Sequence, residues 1–297
     1  MKFLVTGVGG QLGFDVMQEL LSRGYDCVGS DIHPNCEKLD APYISLDITN
    51  KEAVDAAVLE AKPDVVVHCA AWTAVDAAEE AENIAKVRAI NVNGTANIAA
   101  ACRRIDCKMI YISTDYVFDG QGNTPWDPDC KAYAPLNVYG QSKLDGELAV
   151  SSVLDKFFIV RIAWVFGVNG NNFIKTMLNL SKKYDTLRVV SDQVGTPTYT
   201  SDLARLLVDM GLSEKYGYYH ATNEGGYISW YEFACEIFRQ AGVNMNVIPV
   251  TTAEYGLSKA ARPYNSRLDK SKLVENGFTS LPAWQDALGR YLKEIGA

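Results

Sequence analysis

Apolar runs alternate with amphipathic stretches through the first half of the chain. Residues 2–6 (KFLVT) and 26–30 (DCVGS) read as buried strands, residues 43–46 (YISL) as a third short strand. Residues 64–68 (DVVVH) form a near-continuous apolar strand, the pattern of a sheet covered by helices on both faces. Residues 11–23 and 51–61 carry helical periodicity, the second behind Asn50 as an N-cap. Residues 85–103, containing Asn91-Val92-Asn93-Gly94, predict one long helix, and residues 108–112 (KMIYI) the next strand. This alternation predicts an α/β fold, a Rossmann-type doubly wound parallel sheet with right-handed crossovers. Such sheets bind ligands beyond the carboxyl ends of their strands. Asp31, Asp47, Ala70 and Thr114 all follow strand ends, so they should converge.

From about Gly167 the pattern is less regular. Helices are predicted over 172–183, 230–241 and 281–295, and strands over 187–190 and 217–220. These pieces predict a smaller α/β lobe that covers the sheet. Residues 201–210 read as a return to the first unit. The expected division is a dinucleotide-binding domain over 1–166, rejoined by about 196–216, interleaved with a substrate-binding lobe over 167–195 and 217–297.

The turn after the first strand carries Gly7, Gly10 and Gly13. Strand, glycine turn and helix together aim backbone N–H groups at a pyrophosphate. Gly7 suits the tight turn, Gly10 lets backbone approach a ligand, and Gly13 lets the helix lie close to the strand. The spacing is G-x-x-G-x-x-G, a weak signal alone that also describes a plain tight loop. Asp31, about twenty residues on, strengthens it, because an acid there binds the adenosine ribose hydroxyls. A carboxylate at that point repels a 2′-phosphate, and no Arg stands near it in sequence. NADH is therefore the expected cofactor, with NADPH left open.

Ser113-Thr114-Asp115-Tyr116 ends the fifth strand, and a helix is predicted after Pro135 through Val150. Tyr139 and Lys143 are four apart on it and share a face. A phenol alone titrates near 10, too high for acid–base work at neutral pH, and a neighbouring ammonium lowers that value. The pair is then suited to pass a proton to or from a carbinol oxygen, with Thr114 hydrogen-bonding the same oxygen. The bland alternative is a solvated helical pair.

Composition changes the picture by exclusion. A formal net charge of −8 argues against nucleic-acid or acidic-membrane partners. Seven cysteines without a C-x-x-C, and three histidines without paired spacing, read as free thiols in a reducing cytoplasm with no metal site. The N-terminal apolar run is too short for a signal peptide or a membrane span.

The motifs together resemble the extended short-chain dehydrogenase/reductases. They are T-G-V-G-G-Q-L-G at 6–13, Asp31, A-A at 70–71, N-V-N-G at 91–94, S-T-D at 113–115 and Y-x-x-x-K at 139–143. Within that superfamily, several further stretches are similar to the dTDP-4-dehydrorhamnose reductases. These are S-T-D-Y-V-F-D-G (113–120), P-L-N-V-Y-G-Q-S-K-L-D-G-E (135–147), R-I-A-W-V-F-G (161–167), N-N-F (171–173), D-Q-V-G-T-P-T (192–198) and R-P-Y-N-S-R-L (262–268). The resemblance implies reduction of a sugar C4 ketone in dTDP-rhamnose biosynthesis, with hydride from the nicotinamide and the proton from Tyr139. It implies catalytic roles for Thr114, Tyr139 and Lys143. Cofactor contacts would come from Gly7, Gly10, Gln11, Leu12, Asp31, Asp47, Ile48, Ala70, Ala71, Trp72, Tyr139 and Lys143. The nucleotide-sugar would meet Thr114, Asp115, Tyr116, Trp164, Asn172 and Arg262, with Trp164 packing on the sugar and Arg262 on the pyrophosphate. Plain core packing and a surface ion pair are the alternatives for those last two. A homodimer is compatible with the resemblance.

One departure is visible: His68-Cys69-Ala70-Ala71 stands where the family pattern has N-A-A-A. Two rival readings remain. One is another nucleotide-sugar enzyme, an epimerase or dehydratase, although no glutamate follows Thr114-Asp115 as the dehydratases require. The other is a non-catalytic regulatory subunit similar to the beta subunit of methionine adenosyltransferase.

Overall fold

The protein is described by a computed structural model covering residues 1–36 and 38–297. Six strands follow in order: β1 (Lys2–Thr6), β2 (Asp26–Asp31), β3 (Tyr43–Ser45), β4 (Val65–His68), β5 (Lys108–Thr114) and β6 (Phe157–Ile162). With Gly217–His220 they form a seven-stranded sheet in the order Gly217–His220, β6, β5, β4, β1, β2, β3, and every neighbouring pair is parallel. The order reverses direction between β1 and β4, so their carboxyl ends open a crevice there.

Helix α1 (Gln11–Ser22) packs on one face with the Thr200–Leu212 helix, around Phe3, Val16, Met17, Leu203 and Leu207. Helix α2 (Lys51–Ala61) and the Thr95–Ile105 helix cover the other, around Leu4, Val58, Val66 and Ile98. Asn50 caps α2, its side chain accepting from the Ala53 N–H. A separate apolar cluster holds the smaller lobe together, with Phe166, Ile174, Phe233, Trp284 and Tyr291 at its centre.

Three expectations change. Gly217–His220, grouped above with the smaller lobe, is hydrogen-bonded along β6 as the sheet edge. Its short apolar run does not reveal which sheet it joins. Two strands lie outside the pattern predicted above: β6, and Asn246–Val250, which pairs in parallel with Thr186–Val190 in the smaller lobe. The long helix predicted over 85–103 begins earlier, at Ala81–Arg88, and widens into a π turn over Ala89–Gly94 before Thr95–Ile105. The wide turn has a cause in the side chain of Asn91, which is fully buried. It accepts from the Trp72 N–H at 2.8 Å and donates to the Trp72 carbonyl at 3.1 Å and to Ser142 Oγ at 2.9 Å. Such turns occur mostly at functional sites.

Candidate active site

A cleft of about 620 Å³ opens above the β1/β4 crevice. Its glycine wall matches the geometry each glycine permits. Gly7 has φ +74°, and a Cβ there would stand 2.6 Å from the Ala70 nitrogen. A Cβ at Gly13 would stand 2.3 Å from the Gly7 carbonyl oxygen, so α1 can lie this close only without a side chain. Gly10 faces the cleft and is the N-cap of α1, where among the described residues no side chain takes the first-turn N–H groups. Asp31 lines the same cleft and accepts the Gly9 N–H at 2.9 Å. A bare helix N-terminus beside a carboxylate at the end of β2 suits a dinucleotide: N–H donors for phosphate and an acceptor for ribose.

The structure brings most of the sequence-derived candidates to this cleft. Gly7, Gly10, Gln11, Leu12, Asp31, Asp47, Ile48, Ala70, Ala71, Thr114, Asp115, Tyr116, Tyr139, Lys143 and Trp164 line it. Three do not. Trp72 sends its indole N–H to the Ala74 carbonyl and faces Lys86. Asn172 is occupied structurally: it caps the Phe173–Ser181 helix and donates to Gln11, Gly167 and Tyr291, while Asn171 lines the cleft instead. Arg262 stands behind Tyr116, donating to its hydroxyl at 3.2 Å and to Asp76 at 2.6 Å.

Tyr139 and Lys143 project from the Val138–Ser151 helix, which Asn137 caps by accepting the Gly140 N–H at 2.7 Å. A buried fork fixes that helix to the sheet. Arg161 on β6 donates to both carboxylate oxygens of Glu147 at 2.8 Å, and Ser113 Oγ donates to the same group at 2.5 Å. Both partners of the ion pair are essentially fully buried, so removing one would strand a charge.

The electrostatics differ from the sequence expectation in one respect. Burial pushes the Tyr139 phenol well above its usual value, and the neighbouring Asp115 and Tyr116 add to this against the Thr114 hydroxyl. Lys143 points its ammonium at the Tyr111 ring, 4.1 Å from its centroid, and burial brings that ammonium down to about 7 against the opposing pull of Glu147. Tyr139 is therefore a protonated phenol at neutral pH, the state that a proton donor needs. Asp115 is almost wholly buried, and burial raises its carboxyl to about 6 against the nearby Ser266 and Thr114 hydroxyls. Its Oδ2 makes no hydrogen bond among the described residues.

Sequence reasoning missed Trp230. Its ring stacks on Trp164 at 3.7 Å between centroids and 15° between planes, and both line the cleft. Trp164 itself has φ +52°, a strained conformation for a bulky residue, of the kind found at ligand sites. The departure at 68–69 resolves into two placements. His68 is buried, bonded to Thr6 Oγ1 at 2.7 Å and Thr95 Oγ1 at 3.1 Å, and held neutral as burial lowers its pKa to about 3. Cys69 lines the cleft.

Comparison with known proteins gives a family model for the RmlD substrate binding domain, matching residues 1–296. The chain is 39% identical to a dTDP-4-dehydrorhamnose reductase of Aggregatibacter actinomycetemcomitans, over 97% of each chain. Among solved structures, a dTDP-4-dehydrorhamnose reductase from Clostridium acetobutylicum superposes with TM-score 0.91 at 40% identity over the whole of both chains. Another from Bacillus anthracis, in complex with NADP, superposes with TM-score 0.90 at 41% identity over 99% of each.

Proposed function

The chain belongs to the RmlD substrate binding domain family, and on that premise we propose that it reduces the C4 ketone of dTDP-4-dehydro-L-rhamnose to dTDP-L-rhamnose. The observation that carries this reading is a single cleft. Its lining runs from the bare N-terminus of α1 and Asp31 to Thr114, Tyr139 and Lys143. A reduced nicotinamide cofactor, when bound, supplies hydride to the carbonyl carbon. The protein does the rest. Tyr139 donates its phenolic proton to the carbonyl oxygen, and the Thr114 hydroxyl hydrogen-bonds that oxygen as negative charge develops. The phenolate left behind regains its proton from water, and Lys143, which lines the same cleft, adds positive charge there while it keeps its ammonium. The Trp164–Trp230 stack gives the sugar an apolar platform, with Asp115 beside Thr114 in the same cleft.

NADH is the preferred cofactor on this reading. The Asp31 carboxylate stands at the end of β2 with one oxygen on the Gly9 N–H, and a 2′-phosphate there would meet a like charge. The test is loss of reduced-nicotinamide absorbance with dTDP-4-dehydrorhamnose, run with NADH and with NADPH. Expected is stoichiometric, substrate-dependent oxidation, with NADH favoured about tenfold in kcat/KM. Equal or faster turnover with NADPH would overturn the Asp31 argument alone. Protein that binds NADH yet consumes neither cofactor in the presence of dTDP-4-dehydrorhamnose would overturn the reductase.

A further inference from the structure

Asp76 sits in the one-turn helix Val75–Ala78, whose first residue lines the cleft. Its carboxylate collects three hydrogen bonds from one distant segment. Oδ1 accepts the backbone N–H of Lys259 at 3.1 Å and of Ala260 at 3.0 Å, and Oδ2 accepts Arg262 Nη2 at 2.6 Å. The other arm of that guanidinium donates to the Tyr116 hydroxyl, and the Tyr116 ring meets Tyr139 edge to face at 5.6 Å. Two more ties run alongside. Lys259 pairs with Glu80, and Asn137, the cap of the Tyr139 helix, donates to the Ala261 carbonyl at 2.8 Å. Glu79 also accepts the Val138 N–H at 2.8 Å. Just before these ties the segment is open to solvent, with Leu257 77% exposed.

We propose that Asp76 is a positioning residue that clasps the 259–262 strap and, through Arg262, braces Tyr116 on the substrate side of the cleft. The proposal rests on the nucleotide-sugar reading above. An Arg held by one carboxylate keeps its other arm on the Tyr116 hydroxyl, so the ring that lines the cleft loses less conformational freedom when the nucleotide-sugar arrives. The Asp76 contribution is to geometry: a half-exposed ion pair adds little stability by itself. The clasp joins the cofactor wall, through Val75, to the substrate strap, with no contact of its own to the reacting atoms.

The test compares Asp76→Ala and Asp76→Asn with the unaltered protein. The Asn variant keeps a neutral acceptor for the Lys259 and Ala260 N–H groups and gives up only the charge on Arg262. Expected for Asp76→Ala is a rise of about tenfold in KM for the nucleotide-sugar, kcat within about twofold, and unchanged dinucleotide affinity by fluorescence titration. Asp76→Asn should raise KM by about threefold, and should add nothing to the effect of Arg262→Met, since both act through the same group. Hydrogen exchange at 256–262 should quicken in Asp76→Ala, a readout that needs no substrate and stands even if the reductase reading fails. An unchanged KM with unchanged exchange would overturn the clasp, as would a fall in KM. A joint loss of kcat and dinucleotide affinity would also overturn it, by marking a general structural role.

Discussion

On the proposed dinucleotide side of the cleft, Gly7, Gly10, Leu12, Asp31 and Ala70 stand at or just past strand ends, and the wall is shaped by backbone. On the proposed substrate side, Tyr116, Trp164 and Trp230 come from three separate stretches, with Arg262 behind Tyr116, and the wall is shaped by side chains. Arg262 reaches Tyr116 across 146 residues of chain and Asp76 across 186. The first wall is set by where helix and strand can approach. The second is set by stacking and hydrogen bonds that exist only once the lobes have met. Substitutions should therefore act differently on the two: added bulk damages the first, and deletion of polar or aromatic groups damages the second.

The largest expected effect lies where the walls meet. Tyr139→Phe should lower kcat by about 10³-fold or more, within the range general acid catalysis supplies, while dinucleotide affinity holds. A variant with the unaltered rate would remove Tyr139 from the proton path and leave the meeting point without its donor. Gly13→Ala tests the backbone wall. Its new methyl would fall 2.3 Å from the Gly7 carbonyl oxygen, which no flexible side chain can relieve. The turn must shift, at a cost of about 1–3 kcal/mol in stability. Dinucleotide affinity should fall about tenfold or more, measured by fluorescence titration. If Gly13→Ala bound cofactor normally, the contrast between a backbone wall and a side-chain wall would fail.

The smallest effect sharpens the electrostatics. Lys143 is charged below about 7 and loses its proton as pH rises. With Tyr139 pushed upward and Asp115 raised only to about 6, the limb expected above pH 7 is that of the lysine. kcat/KM should fall by about fivefold between pH 7 and pH 8, as an ammonium titrating near 7 requires. Lys143→Arg, which keeps its charge, should flatten that fall. A flat profile in the unaltered protein would show that the ammonium is not needed.

The candidate site was legible in the sequence where its parts are local. Glycine spacing, the acid at the end of β2 and the i,i+4 pair Tyr139/Lys143 are short-range patterns, and all line one cleft. Asn172 shows the limit. Its neighbour lines the cleft while Asn172 itself turns inward to cap a helix, and a one-residue change of direction leaves no trace in composition. Trp230 gave no signal either, because an aromatic residue at the start of an amphipathic helix reads as core. The strand at Gly217–His220 was visible as a strand, but its place at the sheet edge depends on β6, which lies far from it in sequence.

The amino-acid sequence by itself determined the parallel α/β scaffold, the glycine turn, and the helix bearing the tyrosine and lysine. Each follows from periodicity or from sterics within a few residues. The tertiary structure decided the direction of the Tyr139 shift, the stacking of Trp164 on Trp230 and the capture of Arg262 by Asp76. Burial and long-range hydrogen bonding sum over neighbours from distant segments, and those neighbours are assembled only in the folded chain.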